Sequence, residues 1–230
     1  MNLAPHLDHT LLKPDCTADQ IRQLCLEARQ HGFASVCVPP CYVALAAGAL
    51  AGTAVAVGTV VGFPLGYQDS RTKFREAEYA IEAGATELDM VINMAWLKSG
   101  NVAQVEEEIE DLADLAHVHD ALLKVIIETA LLTEAEIVLA AQLCVEAGAD
   151  FVKTSTGFAS RGASVADVEL LRANLPAKVR IKASGGIRTR AAALVLLAAG
   201  ADRIGSSNSV ALLGEDDETR NESSPELPAA

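Results

Sequence analysis

Aromatic side chains are scarce in this chain, making up 4% of its 230 residues and including a single tryptophan. A core built with so few of them rests on Ala, Val, Leu and Ile, which suits an α/β protein. Basic residues are outnumbered by acidic ones, 18 to 31, and the net charge of −13 argues against nucleic acid or an anionic membrane as a partner. No apolar run approaches the roughly 20 residues of a membrane helix. The N-terminal "MNLAPHLDHTLLKPD" has no basic region followed by an apolar stretch, so a cytoplasmic protein is expected. The five cysteines (16, 25, 37, 41 and 144) are odd in number and scattered, which fits reduced thiols better than a disulfide frame. Walker A, HExxH and CxxC patterns are missing, and no metal or cofactor is expected.

What is present is alternation. Short β-branched runs are followed by longer Ala/Leu-rich stretches of helical period. Strands are expected at 6–10, 34–38, 54–63, 87–92, 122–128, 150–155, 179–184 and 202–207. Helices are expected at roughly 17–31, 40–50, 70–83, 99–117, 133–147, 164–174, 188–199 and 207–213. Eight strands, each followed by a helix, predict an α/β fold of the closed (β/α)8 TIM-barrel type. A doubly wound open sheet is the alternative, but no GxGxxG follows the first strong strand. The barrel is expected to fill 1–213 as one domain. The remaining "GEDDETRNESSPELPAA" (214–230) is acidic, contains Pro and Ser, and has no apolar period, so it reads as a disordered tail.

A weak internal repeat supports the barrel. "ARQHGFASVCV", "AIEAGATELDM", "CVEAGADFVKT" and "LLAAGADRIGS" each place a glycine between a helix and a strand. The glycines are 32, 84, 148 and 200, and five residues beyond them lie Cys37, Asp89, Lys153 and Gly205. In a (β/α)8 barrel alternate strands contribute to a common interior layer, so Asp89 and Lys153 are expected level with each other near the C-terminal mouth.

Lys153 closes the apolar Phe151–Val152 segment of "DFVKTS", and Lys182 sits in the next strand, "VRIKAS". Neighbouring strands lie about 4.8 Å apart, so the two amines are expected to face each other. Two ammonium groups that close disfavour each other's charge, and desolvation adds to the effect. One lysine then loses its proton readily and serves as a nucleophile for Schiff-base chemistry. The plainer reading, two strand-end lysines reaching into solvent, leaves the aspartate in register unexplained. Lys124 is a third interior lysine, deeper in its strand, expected in a buried ion pair that supports the site.

The segments "LDHTLLKPD", "VCVPP", "VGFPLG", "ELDMVIN", "LKVIIET", "FVKTSTGF", "IKASGGIRT" and "RIGSS" together resemble the deoxyribose-phosphate aldolase family over about residues 6–213, in order and spacing. The resemblance implies that Lys153, of the KTSTG motif, forms the Schiff base, that Lys182 tunes it, and that Asp89 shuttles protons. It implies a lyase of deoxyribonucleotide and carbohydrate catabolism. The reaction would be reversible cleavage of 2-deoxy-D-ribose 5-phosphate to D-glyceraldehyde 3-phosphate and acetaldehyde, without metal. Asp8 and Thr10, in "LDHT", resemble the family's first-strand pair near the site, with Asp8 supporting Lys182.

The phosphate end is expected at "SGGIRT" and "GSSNS", which follow the seventh and eighth strands and open helices. Barrels often hold phosphate there on backbone N–H groups and helix N-termini. The candidates are Gly157, Gly185, Gly186, Ser206 and Ser207, with Thr156 in the polar wall after Lys153. Some relatives carry a lysine just after the STG, where Phe158 stands here; Asn208 stands where a second serine is common, and the chain lacks a terminal tyrosine. Cys37 and Cys41, in "CVPPC", read as a pocket-lining thiol and a helix-packing thiol. "HVH" (117–119) reads as a solvated helix end. Phosphorylated sugars and aldehydes are the expected small-molecule partners, and a homodimer suits a barrel of this size. Two further functions remain open: a lysine aldolase with another aldehyde donor, and a non-catalytic sugar-phosphate-binding barrel.

Overall fold

The computed structural model describes residues 1–214. Eight parallel strands close in chain order, the last pairing with the first. They are β1 (Leu7–Thr10), β2 (Ser35–Val38), β3 (Ala56–Val61), β4 (Glu87–Val91), β5 (Leu122–Ile126), β6 (Phe151–Lys153), β7 (Arg180–Ser184) and β8 (Arg203–Ser206). The helices are α1 (Ala18–His31), α2 (Val43–Leu50), α3 (Ser70–Glu82), α4 (Met94–Lys98), α5 (Val102–Val118), α6 (Glu134–Glu146), α7 (Val165–Asn174) and α8 (Arg190–Ala198). This is the expected (β/α)8 barrel. No helix among the described residues is long and apolar enough to cross a membrane. Of the acidic tail expected at 214–230, all but Gly214 lies outside the described residues.

Strand alternation divides the interior into two chemically different regions. Val36 and Val38, Leu88 and Met90, Leu123 and Val125, and Ile181 and Ala183 belong to one apolar cluster with the inner faces of the helices. The intervening residues point into the barrel, and many are charged: Asp8, Glu87, Asp89, Lys124, Lys153 and Lys182 are all buried. The hydrophobic core is therefore a sleeve between strands and helices, around a polar centre.

Local signals set the element ends. Thr17 and Gln20 form a capping box at the start of α1, and Thr133 and Glu136 form one at α6. Gly32 ends α1 at φ 67°, where a left-handed residue is needed, and Gly84, Gly148 and Gly200 also adopt positive φ just beyond their helices.

Two expected helices differ, and one short helix is additional. The helix expected at 99–117 is α5, and a short helix not expected precedes it: Asn93 accepts from Trp96 N and starts α4, and Gly100 at φ 78° separates α4 from α5. The helix expected from residue 40 opens as a 3-10 turn, Pro40–Tyr42, which leaves Cys41 exposed rather than packed. Among the described residues no α-helix follows β8, only a turn and the 3-10 segment Ala211–Leu213. There Ser209 Oγ donates to Ser206 O at 3.1 Å and Asn208 N donates to Ser206 Oγ at 3.1 Å. Side chains of this kind compete with the helical hydrogen-bond pattern.

Candidate active site

Seven charged side chains interlock inside the barrel. Lys153 and Lys182 are register partners on β6 and β7, and each donates from Nζ to the same oxygen, Asp89 Oδ2, at 2.7 Å. Lys124, the register partner of Asp89 on β5, reaches Asp89 Oδ1 at 2.8 Å and Glu87 Oε2 at 2.7 Å. Lys182 also meets Asp8 Oδ2 at 2.6 Å. Arg203 completes the ring by contacting Asp8 and, at 3.3 Å, Glu87 Oε1. Below them Arg180 lies 3.9 Å over the ring of Phe151.

Three carboxylates thus face four basic groups, and one base has the weakest claim on its proton. Burial pushes the Lys153 ammonium down; Asp89 pulls it back up and the Lys182 charge lowers it again, leaving it below the ordinary lysine value. Burial also acts against charge on Lys182, but Asp8 and Asp89 outweigh it and raise that pKa. Lys124 is raised well above its usual value, since Asp89, Glu87 and Asp8 overcome burial. Burial favours the neutral form of Asp89, yet Lys124, Lys153 and Lys182 hold it well below the usual carboxylate range. Asp8 is lowered because Lys182, Lys124 and Arg203 outweigh its burial.

A cavity of about 300 Å³ opens at the C-terminal ends of β6, β7, β8 and β1. Lys153 reaches its wall, while Lys124, Lys182 and Asp89 lie beneath. Thr156, Gly157, Gly185, Gly186, Ser206 and Ser207 all line the same space, as does Thr10, whose hydroxyl donates to Asp8 O at 2.9 Å. Gly185 has φ 86°, and a Cβ there would lie 2.9 Å from Gly162 Cα, so the close approach of these loops needs glycine.

Several of these residues do work that their sequence did not reveal. The hydroxyl of Ser206 donates to Ile187 O at 2.9 Å, and the hydroxyl of Thr156 to Glu128, which also accepts from Thr156 N at 3.1 Å. Thr154 and Ser155 are wholly buried; Ser184 N donates to Thr154 Oγ1 at 3.2 Å, and Ser184 Oγ to Ser155 O at 2.7 Å. The Thr/Ser run after Lys153 is thus the internal fastening of its loop, and Gly157 and Ser207 are its more exposed neighbours in the cavity wall. Cys37, expected in the pocket wall, lies beneath it: it is 1% exposed, and its Sγ faces Asp89 Oδ2 at 4.0 Å. The ion-pair cluster fills the space in front of the thiol, whose pKa is pushed up to about 11 by burial and by Asp89. Gly205, in line with Asp89 and Lys153 in the repeat, makes room for Lys182: a Cβ there would sit 3.2 Å from Lys182 Cε.

Sequence reasoning missed Arg203, Glu128, Lys13 and Arg188. The last two are exposed cations in the cavity wall. "HVH" carried no centre: His117 bonds Asp150 at 3.0 Å on the outer surface.

A closed barrel with a buried lysine of lowered pKa at its mouth is an arrangement that suits the barrel aldolases. The model described as "DeoC/LacD family aldolase" matches residues 3–213, and the chain belongs to that family. It is 53% identical over 212 residues to the deoxyribose-phosphate aldolase of Geobacillus sp., covering 92% of this chain and 95% of the relative. The corresponding enzyme of Brevibacillus brevis is 51% identical over 213 residues, covering 93% and 96%. Among solved structures, the tetrameric deoxyribose phosphate aldolase from Aeropyrum pernix matches with TM-score 0.86 at 37% identity, covering 92% of this chain and 89% of that one.

Proposed function

We propose that this chain cleaves 2-deoxy-D-ribose 5-phosphate reversibly to D-glyceraldehyde 3-phosphate and acetaldehyde, with Lys153 as the Schiff-base amine. One observation carries the reading: Lys153 alone of the three clustered lysines reaches the cavity, and it shares Asp89 Oδ2 with Lys182 at 2.7 Å. Family membership and curated relatives at about half identity, named deoxyribose-phosphate aldolase, support the choice of substrate.

Neutral Lys153 adds to the C1 aldehyde of the open-chain sugar, and loss of water gives an iminium. That cation is an electron sink at C1. Removal of the C3 hydroxyl proton breaks the C2–C3 bond, releases D-glyceraldehyde 3-phosphate and leaves an enamine. Protonation at C2 and hydrolysis release acetaldehyde and restore the amine. Asp89 and Lys182 carry the proton movements. Asp89 is held as a carboxylate able to accept, and Lys182 keeps a proton able to be given. Asp8, Thr10, Lys124 and Cys37 support the cluster. The phosphate is held by Gly157, Gly185, Gly186 and Ser207, with Thr156 and Ser206 fixing those loops and Arg188 adding charge.

The protein acts in the cytoplasm as a homodimer in this reading, on small molecules alone. Purified protein incubated with 2-deoxy-D-ribose 5-phosphate is expected to release acetaldehyde and triose phosphate in equal amounts, and Lys153→Leu to release none. Turnover with dihydroxyacetone or pyruvate as donor, and none with acetaldehyde, would instead indicate a different lysine aldolase. Binding without any turnover would indicate a non-catalytic barrel.

A further inference from the structure

We propose that Lys13 binds the substrate phosphate and sets the preference of this site for phosphorylated over unphosphorylated sugar; the inference rests on the aldolase reading above. β1 and β8 are neighbours in the closed barrel, so the loop leaving β1 stands beside Ser206 and Ser207. Thr10 through Lys13 form that wall of the cavity. Leu11 N donates to Cys37 O at 2.9 Å, extending the ladder past β1, and Cys16 N donates to Lys13 O at 3.1 Å in the turn that follows. The backbone at Lys13 is therefore anchored on both sides. Lys13 is exposed and lines the cavity, and no ion pair to an acidic side chain holds it among the described residues.

The charge inventory of the cavity favours a role for this lysine. A phosphate monoester carries about −1.5 to −2 charges near neutral pH. Arg188 supplies one positive side chain, and the Lys153 amine is reserved for the carbonyl. The loop after β6 offers an aromatic group instead of a cation: Phe158 packs edge-on against Phe63, with ring centroids 5.3 Å apart. Lys13 provides the second charge from the β1 wall of the cavity, as a flexible point charge. The whole chain carries −13, so local cations at the mouth also counter the repulsion of an anionic substrate.

The test compares wild type, Lys13→Gln and Lys13→Arg on 2-deoxy-D-ribose 5-phosphate and on 2-deoxy-D-ribose, with inorganic phosphate as a competing probe. In Lys13→Gln the ratio of kcat/KM for the phosphorylated over the plain sugar is expected to fall about tenfold, through KM, with phosphate inhibition weakened to match. Lys13→Arg should keep most of the preference. An unchanged ratio, or equal losses on both sugars, overturns the assignment. Borohydride capture of acetaldehyde in the same three proteins separates the two readings. Capture with an unchanged ratio contradicts the Lys13 role alone, whereas no capture in wild type contradicts the aldolase reading and this inference with it.

Discussion

Lys153 and Lys182, register partners on adjacent strands, donate to a single carboxylate oxygen, Asp89 Oδ2, from equal distances of 2.7 Å. Equal geometry does not mean equal charge. Lys182 has a second carboxylate, Asp8 at 2.6 Å, and Lys153 has none. The anions therefore hold the proton on Lys182 and leave Lys153 the more easily neutralised amine.

The first prediction follows from that asymmetry. Lys182→Met removes a cation that disfavours charge on Lys153, and it leaves Asp89 more fully available to hold the Lys153 proton. The Lys153 pKa must then rise. The rate of imine formation, measured across pH, is expected to reach its plateau at higher pH than in wild type. Turnover near pH 7 should fall by about 10²-fold or more, since a proton-transfer partner is lost as well. A profile that stays in place would remove Lys182 from the tuning of Lys153.

Asp8 gives a stability prediction with a definite sign. Its folded pKa is depressed below the ordinary 3.8, chiefly because Lys182, Lys124 and Arg203 overcome its burial. The unfolded chain therefore takes up this proton first as pH falls, and the stabilisation is present above about pH 4 and lost below it. Asp8→Asn at neutral pH strands Lys182 and Arg203 beside an uncharged group and should cost about 3–5 kcal/mol. The difference between wild type and Asp8→Asn in urea midpoint should be constant from pH 7 to 5 and narrow below pH 4. A gap that widens with acid would contradict the assignment.

Gly205 tests the space around Lys182. An added methyl group would lie 2.9 Å from Ser184 Cβ and 3.2 Å from Lys182 Cε. Gly205→Ala should destabilise the fold by about 1–3 kcal/mol through overpacking and lower turnover by displacing the lysine from Asp89. Thermal unfolding and steady-state rates measured together check both. Full activity would mean that the Lys182 side chain has freedom the packing does not show.

Local pattern made the barrel legible. β-branched runs, capping residues and the glycines after helices each act over a few residues, and so did the placement of Asp89, Lys153 and Lys182 on strands. The partners that complete the cluster are another matter. Arg203 meets Asp8 across 195 positions of sequence, and only closure of β8 on β1 brings them together. Glu128 reads as a continuation of its strand; instead it adopts φ 48° beyond β5 and turns to hold Thr156. Lys73 and Glu108, paired at 2.8 Å and both fully buried at the side chain, lie on helices whose surface-like composition conceals them. The hydroxyls after Lys153 were visible as polar residues, but whether they face a ligand or their own loop depends on contacts made by other strands.

Everything in this chemistry depends on which amine reacts, and reduction of the protein with borohydride in the presence of acetaldehyde, followed by peptide mass mapping, identifies it. One two-carbon adduct is expected, on Lys153, and none in Lys153→Leu. An adduct on Lys182 or Lys124, or none on any of the three, would contradict that role for Lys153.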